Sequence, residues 1–303
     1  MSRVALQIEG ASRADRESKE RRMSKVWIIT GTSKGLGRVW AEAALERGDS
    51  VAATARDTST LVELVERYGD NILPIQLDVT DKPKVDAAVA AAHDRFGRLD
   101  VVVNNAGFAL FGATEEVTEK QARAQFDTNL FGALWVTQAA LPLLRAQGSG
   151  HIIQVSSTAG VASFPLNGFY CASKWALEAL SEALAGEVAA FGIKVSIIEP
   201  FRYATDATGV SSMLAEALSP VYEQEREAMA EAVREGVATA PDPRSTGRAI
   251  LRLVDADEPP LRAIFGTGGF DMVRSQIEAR LAQWEAGEEL AHFADDSAQQ
   301  VLS

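Results

Sequence analysis

From Val26 onwards, short apolar runs rich in β-branched residues alternate with longer segments whose apolar positions recur at helical spacing. The runs predict strands over Val26–Thr30, Ser50–Thr54, Ile72–Leu77, Asp100–Val103, His151–Val155, Lys194–Ile198 and Leu261–Phe265. The helical period predicts helices over Gly35–Arg47, Ser59–Tyr68, Lys82–Phe96, Glu119–Gln147 and Gly168–Phe191, with Pro142 bending or shortening the fourth. Several runs are almost wholly apolar, as strands covered on both faces must be, and regular strand–helix alternation builds parallel sheets. The pattern therefore predicts an α/β fold, a doubly wound parallel sheet of about seven strands with helices on both faces.

An amphipathic stretch, Thr208–Val237, follows the sixth strand, where an inserted segment of about residues 206–238 would form a small helical substrate lid at the sheet edge. Asp242–Val254 and Phe270–Trp284 predict closing helices. Residues 23–290 are expected to form a single domain, with a disordered extension at 1–22 and a mobile acidic tail at 291–303. The extension carries both charge signs and no apolar core, so it is not a secretory signal; Met23 is a candidate start.

Composition narrows the classes of function. A formal net charge of -12 opposes general binding to nucleic acid or an anionic membrane. No apolar run reaches the roughly 18 to 20 residues of a transmembrane helix. The single cysteine, Cys171, excludes an internal disulfide, and His93, His151 and His292 lack metal-ligand spacing. A soluble, cytoplasmic protein without a metal site is expected.

The segment Thr30-Gly31-Thr32-Ser33-Lys34-Gly35-Leu36-Gly37 follows a predicted strand and opens a predicted helix, the context of a Rossmann-like dinucleotide loop. Gly31 suits a tight turn, Gly35 lets the backbone approach a pyrophosphate, and Gly37 allows close helix-to-strand packing; Ser33, Lys34 and Leu36 would meet the same cofactor. The second strand ends in Thr54-Ala55-Arg56-Asp57, with Ala55 where a carboxylate would bind the ribose of NAD. Lys34 and Arg56 could flank a 2′-phosphate, so NADP(H) is preferred over NAD(H). The alternative is that both cations are solvated and Asp57 takes the ribose position.

Tyr170 and Lys174, four residues apart on a predicted helix, share one face with their Cβ atoms roughly 6 Å apart. Lowering a tyrosine pKa from about 10 to near 7 takes about 4 kcal/mol. An exposed pair supplies at most about 1 kcal/mol, so this pair is expected to be partly desolvated, with an oxidised nicotinamide adding its positive charge. Ser156-Ser157-Thr158-Ala159-Gly160 and Asn104-Asn105-Ala106-Gly107 end two strands, where open α/β sheets place ligands, and Asn129 lies within a long predicted helix.

Together the glycine loop, Asn104-Asn105-Ala106-Gly107, Asn129, Ser157 and Tyr170-Cys171-Ala172-Ser173-Lys174 resemble the short-chain dehydrogenase/reductase family in its shorter form, over about Lys25–Phe265. The segment around Tyr170 is similar to the hydroxysteroid dehydrogenase-like branch, which includes carbonyl reductases (ketoreductases). The resemblance implies that Tyr170 protonates the carbonyl oxygen and Ser157 hydrogen-bonds it. Lys174 would hold the nicotinamide ribose and lower the tyrosine pKa, and Asn129 would fix a water in a proton relay. Asn105, Ala106 and Gly107 would support cofactor and sheet, Asp78 and Val79 would meet the adenine, and Pro200 and Thr205 the nicotinamide end. It implies a homo-oligomer, dimer or tetramer. Ser156 is read as a backbone cap and Cys171 as a packed thiol.

The chain departs from the family after the sixth strand, where Pro-Gly is usual and Glu199-Pro200-Phe201-Arg202 stands. Phe201 and Arg202 are expected to narrow or re-aim the pocket. Phe108, Phe164, Leu166, Phe169, Phe201 and Tyr203 suggest an apolar or aromatic ketone or a bulky secondary alcohol. The expected activity is NADP(H)-dependent interconversion of a ketone or aldehyde and its alcohol. A catalytically silent NADP(H)-binding sensor or scaffold of the same fold is the alternative, with dehydration or epimerisation a third reading.

Overall fold

The computed structural model describes residues 24–203, 212–216 and 218–301. The expected N-terminal extension, Thr205 and the first residues of the expected lid lie outside the described residues. The described strands are β1 (Val26–Ile29), β2 (Ser50–Ala55), β3 (Ile72–Gln76), β4 (Val101–Asn104), β5 (Ala109–Phe111), β6 (Gly150–Val155), β7 (Ile193–Pro200), β8 (Ser212–Leu214) and β9 (Arg262–Phe265). Seven pair in parallel in the order β3-β2-β1-β4-β6-β7-β9, while β5 pairs in parallel with β8 in a separate two-stranded unit.

The helices are α1 (Gly35–Arg47), α2 (Val62–Tyr68), α3 (Lys82–Phe96), α4 (Glu119–Phe126), α5 (Ala133–Gln147), α6 (Gly168–Val188), α7 (Glu223–Ala238), α8 (Ser245–Asp255), α9 (Thr267–Ala286) and α10 (Glu288–Val301). Alternation along β1 explains the layers. Trp27 and Ile29 pack on one face with Trp40 and Leu45 of α1 and Ile250 and Leu253 of α8. Val26 and Ile28 pack on the other with Val85 and Val89 of α3, Val136 and Leu144 of α5, and Leu184 and Val188 of α6. Each fully buried aliphatic side chain of these layers contributes roughly 1.5–3 kcal/mol of transfer free energy. The Trp40 indole N–H donates to Thr246 Oγ1 at 2.9 Å, satisfying the polar edge of a ring buried between α1 and α8.

Three elements differ from expectation. The predicted Glu119–Gln147 helix is α4, a π-helical stretch Asp127–Gly132, and α5; Pro142 lies inside α5 and does not end it. The wide turn coincides with Asn129, whose buried side chain has partners off the helix. The β5–β8 pair was not anticipated from three-residue segments. Residues 291–301 of the expected tail are helical as part of α10, in keeping with the Ala, Leu, Glu and Gln content of that helix. Among the described residues no helix is long and apolar enough to cross a membrane.

The strand order reverses between β1 and β4, which opens a crevice at the C-terminal ends of the strands.

Candidate active site

A cleft of about 1280 Å³ occupies that crevice. At one end, Gly31 and Gly35 take left-handed conformations, with φ of 70° and 63°. A Cβ on Gly37 would collide with the Asn105 amide and the Gly31 carbonyl, so Gly37 serves packing and does not line the cleft. Where a Cβ of Gly35 would stand, nothing lies within 4 Å. Lys34 gives α1 no side-chain cap, and no acid occupies its first turn. The N-terminal N–H groups of α1 thus suit an anion, and the buried Lys34 Nζ beside them makes no hydrogen bond to the protein. This orphaned cation, the open Gly35 and the uncapped helix fit a dinucleotide phosphate.

The Ser59 hydroxyl and the Ser59 backbone N–H, which donates to Asp57 at 2.9 Å, hold the Asp57 carboxyl below the usual range. This carboxylate caps the turn after β2, and Asp57 is not among the residues that line the cleft, while Arg56 is exposed at the cleft. Ser33, Leu36, Asp78, Val79, Asn105, Ala106 and Gly107 also line the cleft. Asn105 ties β4 to β1, its Nδ2 donating to Thr30 O at 2.8 Å and Gly31 O at 3.1 Å. Asn104 is a core residue, donating to Thr137 Oγ1 and Gln154 Oε1 at 2.9 and 3.0 Å.

Midway along the cleft, β6 delivers Ser157 and α6 delivers Tyr170 and Lys174. Burial raises the Tyr170 phenol above its ordinary value, and the Ser157 hydroxyl beside it opposes the shift. Lys174 Nζ donates to Val155 O at 2.7 Å and lies 5.9 Å from the Tyr170 ring centre. Burial lowers Lys174 to about 8, with Glu178 opposing. The expected desolvation is present. The protein groups by themselves do not lower the tyrosine, because the ammonium is directed at a carbonyl and burial outweighs the hydroxyl.

Asn129 is buried, and its amide is engaged by protein: Nδ2 donates to Phe108 O at 2.9 Å and Ser173 Oγ at 3.1 Å, and Oδ1 accepts from Phe108 N at 3.0 Å. It braces the loop after β4 against α6. Gly107 is part of that contact, since a Cβ there would lie 3.0 Å from Asn129 Oδ1 and 3.5 Å from Lys174 Nζ. Ser157, rather than Ser156, caps the following turn, accepting from Ala159 N at 3.1 Å. Ser156 is buried near Glu178, which forms with Glu199 and Arg262 a charged cluster behind the site; Arg262 Nε lies 3.3 Å from Glu178 and 3.7 Å from Glu199. Cys171 is buried, and burial pushes its thiol up, as suits a packed residue.

At the far end, Phe108, Phe164, Phe201 and Tyr203 line the cleft with Pro200, and Met213, Met229 and Val233 approach from the β8–α7 lid. Leu166 and Phe169 are not lining residues: Leu166 is buried, with φ of 58° and its carbonyl accepting from Gly112 N at 2.8 Å, and Phe169 sits in the first turn of α6. Sequence reasoning missed the residues that hold the lid. Buried Glu116 accepts from Ala113 N at 2.7 Å and from Ser219 N and Arg226 Nη1, both at 2.6 Å. Gln121 donates to Leu214 O at 2.8 Å and accepts from Glu216 N at 3.2 Å. Their partners on the lid lie 93 to 110 residues away, beyond any local signal.

Known proteins place this geometry. The model of the short chain dehydrogenase family matches residues 25–213. Oxidoreductase BOA17 of Botryotinia fuckeliana is 42% identical over 271 residues, 89% of this chain and 98% of the relative. A crystal structure of a short-chain dehydrogenase from Streptomyces avermitilis is similar at a TM-score of 0.83 and 39% identity, covering 90% of this chain and 99% of that one. A short chain dehydrogenase/reductase from Burkholderia phymatum in complex with NAD matches at a TM-score of 0.75 and 25% identity, covering 86% and 95%.

Proposed function

The chain belongs to the short-chain dehydrogenase family, and on that premise we propose that this oxidoreductase is an NADP(H)-dependent carbonyl reductase with Tyr170 as its proton donor. The observation that carries the reading is the meeting of Tyr170, Ser157 and Lys174 on one cleft with the glycine loop. The loop Gly31–Gly37 would hold the pyrophosphate, Lys34 and Arg56 the 2′-phosphate, Asp78 and Val79 the adenine, and Asn105–Gly107, Lys174, Pro200 and Thr205 the nicotinamide end. When bound, the nicotinamide supplies the hydride for reduction and accepts it for oxidation.

The protein's own groups handle the proton. A phenol kept protonated by burial is suited to donate to the oxygen of a ketone or aldehyde as negative charge develops there. Ser157 donates a hydrogen bond to the same oxygen and fixes its position. Lys174, charged at neutral pH, stabilises the phenolate that Tyr170 leaves behind, and Asn129 holds the Phe108 loop and α6 at the spacing this requires. The apolar far end favours apolar or aromatic carbonyl substrates.

The test follows NADPH absorbance across a panel of ketones and aldehydes, with Tyr170→Phe alongside. Removing a positioned general acid should lower turnover about 10²- to 10⁴-fold and leave NADPH binding intact. NADPH binding without oxidation by any carbonyl, and no effect of Tyr170→Phe, would instead identify a silent coenzyme-binding protein.

A further inference from the structure

The substrate end of the cleft carries a cation that proton and hydride transfer do not use. Arg202 follows Phe201 just after β7 and lines the cleft. Its guanidinium carbon lies 5.3 Å from the centre of the Phe201 ring. Lid helix α7 closes on its other side, where a Cβ on Gly236 would stand 2.8 Å from Arg202 Nη1 and 3.2 Å from Cζ. The absence of a side chain at Gly236 is what admits the guanidinium.

Phe201 is accommodated in the same way. A Cβ on Gly268 would lie 3.0 Å from its Cε1, and one on Gly269 would lie 2.9 Å from its Cβ. Phe201 keeps a negative φ, so the loss of glycine costs no backbone strain there. The two residues that break the expected Pro-Gly pattern are therefore seated by glycines on α7 and α9, and Arg202 is held between an aromatic ring and a helix backbone.

Arg202 has no carboxylate partner among the described residues, although α7 carries Glu223, Glu225, Glu227, Glu231 and Glu235. The cleft it lines also carries the apolar side chains of Phe164, Tyr203, Met213, Met229 and Met272. Lys174, the other cation towards this end, is committed to Val155 O. In a protein of net charge -12, an exposed guanidinium that lines the cleft without a carboxylate partner among the described residues is a selective feature.

We propose that Arg202 recognises an anionic group on the substrate, so that the preferred substrates are apolar or aromatic ketones bearing a carboxylate. A guanidinium presents its N–H groups in a fork that matches a carboxylate, and a ring on one side and a helix on the other limit its rotamers before the substrate arrives. The flexible methionines then adapt to the apolar body. This inference rests on the carbonyl-reduction reading of the site. The competing role for Arg202 is structural: near the C-terminal end of α7 it would complement the helix dipole, and its loss would then affect every substrate alike.

Benzoylbutyrate and its methyl ester differ in charge and little else. With NADPH, the wild-type protein should show a KM for the acid about tenfold or more below that for the ester, as a charge-assisted hydrogen bond allows. Arg202→Gln should raise the KM for the acid about tenfold and leave the KM for the ester and the NADPH Kd within about twofold, with Arg202→Lys intermediate. Equal losses for acid and ester, no preference in the wild type, or a weakened NADPH Kd would overturn the proposal. If the wild type reduces neither compound nor any neutral aryl ketone, carbonyl reduction itself fails. The charge reading is then decided by calorimetry of benzoylbutyrate binding to the NADP-loaded protein: binding lost in Arg202→Gln upholds it, and binding equal in the two proteins rejects it.

Discussion

Replacing Lys34 with methionine should strengthen the coenzyme-free fold while weakening its grip on NADPH. In the protein alone, the Lys34 ammonium is buried without a hydrogen-bond acceptor at the positive end of α1, whose first turn holds no acid. A buried polar group without a partner costs about 1–3 kcal/mol, and a cation at a helix N-terminus about 0.3–1 kcal/mol more. Methionine keeps much of the stem and removes both terms. Allowing for partial relaxation, Lys34→Met should gain about 1–2 kcal/mol, which for a protein of this size raises the thermal midpoint by roughly 2–6 °C. Against the 2′-phosphate the same change removes a charge-assisted hydrogen bond of about 1.5–3 kcal/mol, a roughly 10- to 100-fold rise in the NADPH Kd. NADH, which has no such phosphate, should bind as before. Fluorescence titration with both coenzymes and a melting scan without either give the two quantities. An unchanged ratio of NADPH to NADH affinity would refute the assignment of Lys34, and a lower coenzyme-free midpoint would refute the desolvation reasoning.

Two further predictions concern groups away from the coenzyme. Glu116→Gln replaces a carboxylate that Ala113 N, Ser219 N and Arg226 all address, so the lid should loosen by about 3 kcal/mol. Amide hydrogen exchange across residues 212–226 should quicken and substrate KM should rise, with the NADPH Kd unchanged; unaltered exchange there would show that Glu116 does not hold the lid. Burial raises the Glu199 carboxyl to about 7, with Glu178 adding to the shift and Arg262 opposing it. A carboxyl whose pKa is higher folded than unfolded stabilises the protein below its unfolded value near 4.5, and that contribution is lost as pH rises through about 7. Glu199→Gln should therefore melt close to wild type at about pH 5 and above it at about pH 8.5, and a difference that does not vary with pH would contradict the titration.

The seven strands of the central sheet were legible to within a residue or two at each end because each is an apolar run bounded by polar or glycine residues, as at Val26–Ile29. Tyr170, Lys174 and Ser157 were legible because helix spacing and strand ends are local properties that carry directly into space. The π-helical turn was not, since nothing in Asp127–Gly132 distinguishes it from an α-helix until Phe108 and Ser173 compete for the Asn129 amide. Glu116 reads in sequence as one acid among several on a surface turn, and only folding buries it among partners from the lid. Leu166 and Phe169 show the opposite failure: being apolar and close to Tyr170 in sequence did not make them lining residues.

The reversal of strand order at β1 and β4 divides labour along the chain. Everything expected to grip the adenosine half of the coenzyme comes from residues before 80, whereas the walls of the far chamber come from residue 108 onwards. A graft exchanging the later portion between relatives could thus redirect which molecule is transformed while inheriting the same electron carrier.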